Sequence, residues 1–327
     1  MTRTRISNIF RIVAIFEKED VFVGVVKEFG KILAIYLCVF LCVILFVLFP
    51  REPSIDFSGK AMTVEYSYHF NLKEYATNVG VFLKDVYENK SLGGTKFASL
   101  SAEDEIAKFF PRSLKIILIG FILSVVFGII KGILDYRWTN TKKSFLGSGA
   151  TWFFSGVPDF FIIICLSYFL LLYVPDFSIM GTEAWWKFIA PSILVSIAPM
   201  LYVARITSVS LLTQDREPYI QVAFAKGFTK NKVLLNHMMR SCLITVSSHL
   251  QSIMVFVLSN LLVVEYLLGY QGAAYRLFSA IGYTNFIPPG GGADERGLII
   301  GICISFLILV MVAHMISQVL KMRLDPK

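Results

Sequence analysis

The sequence predicts an all-α, polytopic membrane protein with six transmembrane helices, and three observations predict it. The chain of 327 residues is 56% hydrophobic and only 17% charged, less charge than a soluble domain of this size needs, and its mean hydropathy is +0.67. Six apolar stretches, 31–50, 112–134, 152–174, 188–212, 243–268 and 297–320, are long enough to cross about 30 Å of hydrocarbon as helices. Lys and Arg collect in alternate connections, which fixes one side as cytoplasmic. That side holds Arg3, Arg5, Arg11, Lys18 and Lys27, then Arg137, Lys142 and Lys143, then Arg216, Lys226, Lys230, Lys232 and Arg240, then Lys321, Arg323 and Lys327. Both termini are therefore expected in the cytoplasm.

Taken in order, residues 1–30 read as a cytoplasmic interfacial segment. Ile9, Phe10, Val13 and Phe16 alternate with Arg11, Glu17 and Lys18, the pattern of an amphipathic helix lying on a membrane, and no small-residue cleavage site follows, so a signal peptide is not expected. The first span, 31–50, leads into a connection at 51–111 on the opposite side. Through Lys108 this connection carries seven Lys or Arg against nine Asp or Glu. It has an aromatic cluster at Tyr66, Tyr68 and Phe70 and helix-like apolar spacing near 79–87. It reads as a small cap over the membrane face; contact with a substrate-delivering protein is the sharper alternative. Residues 112–327 form a five-helix core interrupted by a polar, basic hairpin at 214–240. The Pro/Gly run at 288–292 reads as a turn. Gly128-x-x-x-Gly132 and Gly297-x-x-x-Gly301 read as close helix contacts.

The chemistry-bearing residue types exclude several functions. Cys38, Cys42, Cys165, Cys242 and Cys303 sit in or beside apolar segments with no metal-ligand spacing; they read as small buried hydrophobes. The four histidines are scattered, and no nucleophile arrangement stands out, so neither a catalytic nor a metal site is expected. Gly24-Val-Val-Lys-Glu-Phe-Gly30-Lys31 has five residues between its glycines, no Ser or Thr after the Lys and no preceding strand, so it fails as a phosphate loop. No cofactor is expected on this chain, and any ATP and Mg would sit in partner subunits. The net charge of +8 lies in alternate loops and does not point to nucleic acid.

The hairpin is the most informative stretch. Asp215 is placed to cap a first short helix, with Pro218 tolerated in its first turn. Tyr219, Ile220, Val222, Ala223 and Phe224 give that helix an apolar side. Gly227 supplies a left-handed cap that reverses the chain, and Thr229 stands where it would cap a second helix. Two short helices at an angle make a knob suited to a groove in a soluble domain.

Here the sequence resembles a known family. Ala223-Phe224-Ala225-Lys226-Gly227-Phe228 is similar to the coupling-loop core of permease subunits of the oligopeptide, dipeptide and nickel ABC importers. Pro158 with Phe160, Pro191, Pro199, Ala204-Arg205, Val263-Val264-Glu265 with Gly269 and Gly272, and Leu324-Asp325-Pro326 follow in that family's order. Gln221-Val222-Ala223, Thr245 and Tyr270-Gln271-Gly272 depart from it. The resemblance implies an ABC type I importer permease fold in the bacterial cytoplasmic membrane. It implies a second homologous permease, two cytoplasmic ABC ATPases, an extracytoplasmic binding protein, membrane lipid around the spans, and an oligopeptide or dipeptide cargo, with nickel or another small solute as the alternative. It assigns ATPase coupling to Asp215, Gln221, Val222, Ala223, Ala225, Lys226, Gly227, Phe228 and Lys230.

Polar residues inside spans are costly toward lipid and tend to face a bundle interior or a water-filled path. Asp159, Arg205, Asn260 and Glu265 are the path or gate candidates, with Asp159–Arg205 as an inner-gate pair. A structural hydrogen bond, or snorkelling to the interface, competes for each. A receptor sensing ligand through 51–111 is the reading from another class; the coupling hairpin, which a receptor does not need, stands against it. An ion-coupled carrier would show more spans and paired half-repeats.

Overall fold

A computed structural model describes residues 27–50, 54–58, 63–67, 70–95, 100–139, 141–173, 180–282 and 295–324. The interfacial segment expected at 1–26, the side chains of Tyr66 and Tyr68, the turn at 288–292 and the Asp325-Pro326 ending lie outside the described residues. Among the described residues, five helices are long and apolar enough to cross a membrane, and a bent helix pair brings the number to six if it is counted as one span.

Helix α1, Lys27–Val47, precedes a segment that the purely helical expectation missed. Strands β1, Ser54–Ser58, and β2, Thr63–Ser67, pair antiparallel with Ser54 opposite Ser67. Helix α2, Leu72–Lys84, follows, with the Asn71 side chain accepting hydrogen bonds from the amides of Lys73 and Glu74. Its last turn widens over Asp85–Asn89. This segment is tied to the bundle. The Tyr75 hydroxyl donates to the Leu45 carbonyl at 2.9 Å, and Phe70 stacks on Phe49 with centroids 5.3 Å apart.

Helix α3, Ala102–Trp138, starts from a capping box in which Ser101 and Asp104 satisfy each other's amides, so two of its orphan donors are paired at once. It packs lengthwise on α6, Ile189–Gln214. Gly128 and Gly132 fall at that seam, where an added Cβ would run into Val203 and Thr207. The expected close contact is therefore real: small residues let the two backbones approach, which is how helices gain dispersion energy where lipid removes the hydrophobic drive. The same holds for Gly297 and Gly301, although the neighbours of Gly297 come from the α2–α3 connection rather than from a helix. A Cβ on Gly297 would meet the Leu92 carbonyl, and one on Gly301 would meet Ile106 and Leu92.

The third span is not the single helix expected over 152–174. Helix α4, Ser148–Ser155, is followed by helix α5, Asp159–Tyr173, and the helical segment Lys142–Ser155 that includes α4 is bent by 107° from α5. Pro158 lacks an amide hydrogen and disfavours helical backbone at Val157, so the chain breaks there. The fifth span is also divided. Helix α9, Met239–Ser248, and helix α10, Leu250–Leu267, meet at His249. A short helix α11, Ala273–Ile281, precedes α12, Arg296–Leu324.

The core has three apolar layers. The central one joins Ile116, Leu194, Val257, Leu261 and Val310. One end layer joins Leu211, Ile220, Val233, Leu234 and Ile253; the other joins Leu48, Ala102, Leu298 and Ile300. Arg240 Nε donates to the Leu324 carbonyl at 3.3 Å, and Glu28 feels the charge of Lys321. Both described ends of the chain thus lie at the hairpin end of the bundle.

Candidate functional site

The hairpin is built from α7, Pro218–Ala225, and α8, Lys230–Val233. Pro218 sits at the start of α7, where its missing amide hydrogen costs nothing. The residue capping that start is Glu217, by backbone alone. Asp215 does not cap α7 as expected; it ends α6 and lies beside the Tyr136 hydroxyl. The distance along the chain decides this, because two further residues turn before α7 begins. The Tyr219 hydroxyl donates to Gln214, and burial followed by the nearby Glu217 charge pushes its pKa up, so it stays a neutral donor.

Gly227 adopts φ +80, the left-handed conformation that costs a residue with a Cβ about 1–2 kcal/mol. The Gly227 amide donates to the Phe224 carbonyl at 2.9 Å and the Phe228 amide to Ala223 at 3.3 Å, which together close a Schellman motif. Thr229 stands at the cap position just before α8, without a side-chain bond. Phe228 stacks on His237 with centroids 5.9 Å apart, and Lys232 lies over its ring at 4.6 Å. Arg137 of α3 donates to Asn231 at 3.0 Å.

The knob therefore has two faces. Ile220, Ala223, Val233, Leu234 and Met238 are buried against the bundle. Asp215, Gln221, Val222, Ala225, Lys226, Gly227 and Lys230 are exposed, and Phe228 is half-buried. Ala223 is the one predicted coupling residue turned away from solvent, at 5% exposure; it packs the knob rather than offering contact. Tyr219, Val222 and Phe224 add exposed apolar surface. This face suits an apolar cleft with an acidic rim.

The intramembrane candidates divide differently from expectation. No ion pair joins Asp159 to Arg205. Asp159 begins α5 after the bend, half-buried, while Arg205 is exposed on α6. Asn260 is buried and donates to the Val195 carbonyl at 3.4 Å. Glu265 is fully buried. It accepts from the Ser113 hydroxyl at 2.5 Å and from the amides of Ala274 and Tyr275 at 2.9 and 3.1 Å. Its carboxylate closes the first turn of α11, where anions are favoured. Neither Asn260 nor Glu265 lines an open surface of this chain, because each spends its hydrogen bonds on a neighbouring helix.

Two ionic clusters escaped the sequence. Lys131 pairs with the fully buried Asp135, and Thr151 donates to Asp135 at 2.6 Å, which pins α4 to α3. The i,i+4 spacing of Lys131 and Asp135 inside an apolar span was the available signal. Arg276 of α11 bridges Glu105 of α3 and Glu295 before α12, the latter at 2.5 Å; all three side chains are buried. Burial disfavours the Arg276 charge, but its two carboxylate partners outweigh that and raise its pKa.

A gapped helical bundle with a broken third span, and an exposed basic knob keyed to it by an apolar inner face, define a permease subunit of the ABC importer class: a multi-pass protein of the bacterial plasma membrane. The chain belongs to the family described as binding-protein-dependent transport system inner membrane component, which matches residues 124–326, more than half its length. It is 24% identical over 239 residues to the oligopeptide transport system permease protein OppB of Escherichia coli K12, covering 70% of this chain and 78% of that one. It is 25% identical over 272 residues to OppB of Haemophilus influenzae, covering 81% and 83%. The glutathione transport system permease protein GsiC of Escherichia coli O6:H1 is 27% identical over 192 residues, covering 58% of this chain and 62% of its own. In fold, the chain is similar to one from the MetNI methionine ABC transporter solved in inward-facing conformations. The TM-score is 0.55 at 14% identity, over 68% of this chain and 96% of that one.

Proposed function

We propose that this chain is half of the translocation path of an ATP-driven importer of oligopeptides or dipeptides, and that the hairpin at 218–233 is its contact with a cytoplasmic ATPase. The observation that carries the reading is the two-faced knob: an inner face packed into the bundle and an outer face of Val222, Phe224, Lys226 and Lys230 left exposed. The basic hairpin and both described chain ends share one end of the bundle, and the positive-inside rule supports reading that end as cytoplasmic. A second permease, two ATPases holding ATP and Mg, and an extracytoplasmic binding protein complete the machine, as the family implies. Closure of the ATPase dimer moves the knob; the knob moves α6 and α9, and the bundle exchanges its open side. The peptide cargo is supported by the OppB relatives, which cover most of this chain.

The test is reconstitution of the complex in proteoliposomes with labelled di- to pentapeptides. ATP-dependent peptide accumulation is expected. A complex that hydrolyses ATP and accumulates no peptide would overturn the cargo, and a chain that purifies without an ATPase would overturn the coupling role.

A further inference from the structure

The path candidates that the sequence singled out on α10 are buried, yet polar groups near them stand open. Tyr202 lies at the centre of α6, 13 residues after Ile189 and 12 before Gln214. Its hydroxyl meets His249 Nδ1 at 3.0 Å, and its ring packs on Phe256 with centroids 5.1 Å apart. Both Tyr202 and His249 are only half-buried. One turn along α6 toward the hairpin, Arg205 is exposed and joined by no ion pair among the described residues. It lies nine residues before Gln214, about 14 Å inside the helix end at 1.5 Å per residue. On α10, Ser252 and Ser259 are exposed and, seven residues apart, share one helix face.

Lipid is a poor neighbour for such a surface. An arginine, an imidazole and hydroxyls at mid-span are tolerated where they face water or a polar ligand. The Arg205 guanidinium offers hydrogen-bond donors with no described carboxylate paired to it, and the Tyr202–His249 pair, which spends one proton on its own bond, offers one more from the hydroxyl or from Nε2. Arginine binds carboxylates through two parallel N–H···O bonds.

We propose that Arg205, Tyr202 and His249 form a carboxylate-handling station on the path face of this chain, met by the cargo as it passes the middle of the membrane. This rests on the peptide reading given above. A peptide presents a carboxylate at its C-terminus or on an acidic side chain, and the station would take either.

The test compares uptake by the whole reconstituted complex of three labelled peptides: a neutral tripeptide acid, its C-terminal amide, and an amide containing one Glu. The binding protein's own preference is common to every variant, so only changes in the uptake ratio count. Arg205→Gln is expected to lower the ratio of acid to neutral amide about tenfold, the scale of one charge-assisted hydrogen bond. Tyr202→Phe should lower it less, and Arg205→Lys should retain much of it. A loss confined to the acid assigns the terminal carboxylate, and a loss confined to the Glu amide assigns the side chain. Equal loss for all three peptides would make Arg205 a gate or packing residue and overturn the proposal, as would ratios that do not change. Wild-type uptake of none of them would end the peptide reading, and this proposal with it.

Discussion

Two short helices sit at opposite ends of this bundle and are held in opposite ways. Helix α7 rests on apolar contacts from Ile220 and Ala223 and on a glycine cap at Gly227. Helix α11 is held by buried charge. Glu265 ties its first turn to α3 through Ser113, Arg112 donates to the Gln271 carbonyl at 3.1 Å, and Arg276 bridges two glutamates from α3 and the start of α12. Apolar contacts are non-directional and tolerate sliding, whereas buried ion pairs need one geometry and are costly to part. One end of the molecule is thus locked by directional bonds, and the other is held by contacts that tolerate movement.

The largest effect that would break this comparison is at Arg276. Arg276→Met leaves two buried carboxylates facing each other, and a loss of about 3–5 kcal/mol is expected; wild-type stability in chemical unfolding would show that the α11 end is not charge-locked. Next comes Glu265→Ala, which strands the Ser113 hydroxyl and two helix amides and should cost about 3 kcal/mol. Gly272→Ala should approach it, since an added Cβ would overlap the Glu265 carboxylate and Ser113.

At the hairpin the expected stability effects are smaller and the functional ones larger. A Cβ added at Gly227 meets no atom within 4 Å, so the expected cost of Gly227→Val is the left-handed strain, about 1–2 kcal/mol. Uptake per ATP hydrolysed should nevertheless fall, because the reversal that presents the knob is lost; an unchanged ratio would count against the coupling role. Lys226→Glu with Lys230→Glu should shift stability by no more than about 0.5 kcal/mol, yet weaken co-purification of the ATPase in a salt-dependent way. Retention at wild-type levels would place the contact elsewhere on the knob.

How much of this was legible follows from the range of the interactions. The Gly227 reversal, the glycines at the α3–α6 seam and the spans themselves are written in local spacing. The break at Pro158 was also local, but the apolar run on both sides of it reads as one crossing. The β1–β2 pair was legible: Ser54–Ser58 and Thr63–Ser67 both alternate polar and apolar residues, the period of a strand, and the reading of this connection as a cap with helical spacing passed over it. The Arg276 bridge could not be read at all: its partners are 171 and 19 residues away, and nothing local to Glu105 marks it as buried. Glu265 was found for its unusual place in a span; its cap on α11 is made 9 and 10 residues further on, while its tie to α3 needed Ser113, 152 residues earlier.

The seat of Leu92 on Gly297 has a consequence for how the molecule is made. The Leu92 carbonyl occupies the space a side chain at position 297 would fill, and those residues are 205 positions apart (297 minus 92). A ribosome adding about 5–20 residues per second needs roughly 10–40 s to pass from one to the other. Throughout that interval the segment around α2 has only its contacts with α1 and the start of α3, and its seat on α12 forms when the last helix arrives. Protease resistance of that segment in arrested nascent chains should rise once α12 has been synthesised. The seated loop is thus a contact that only a chain with its last helix in place can make.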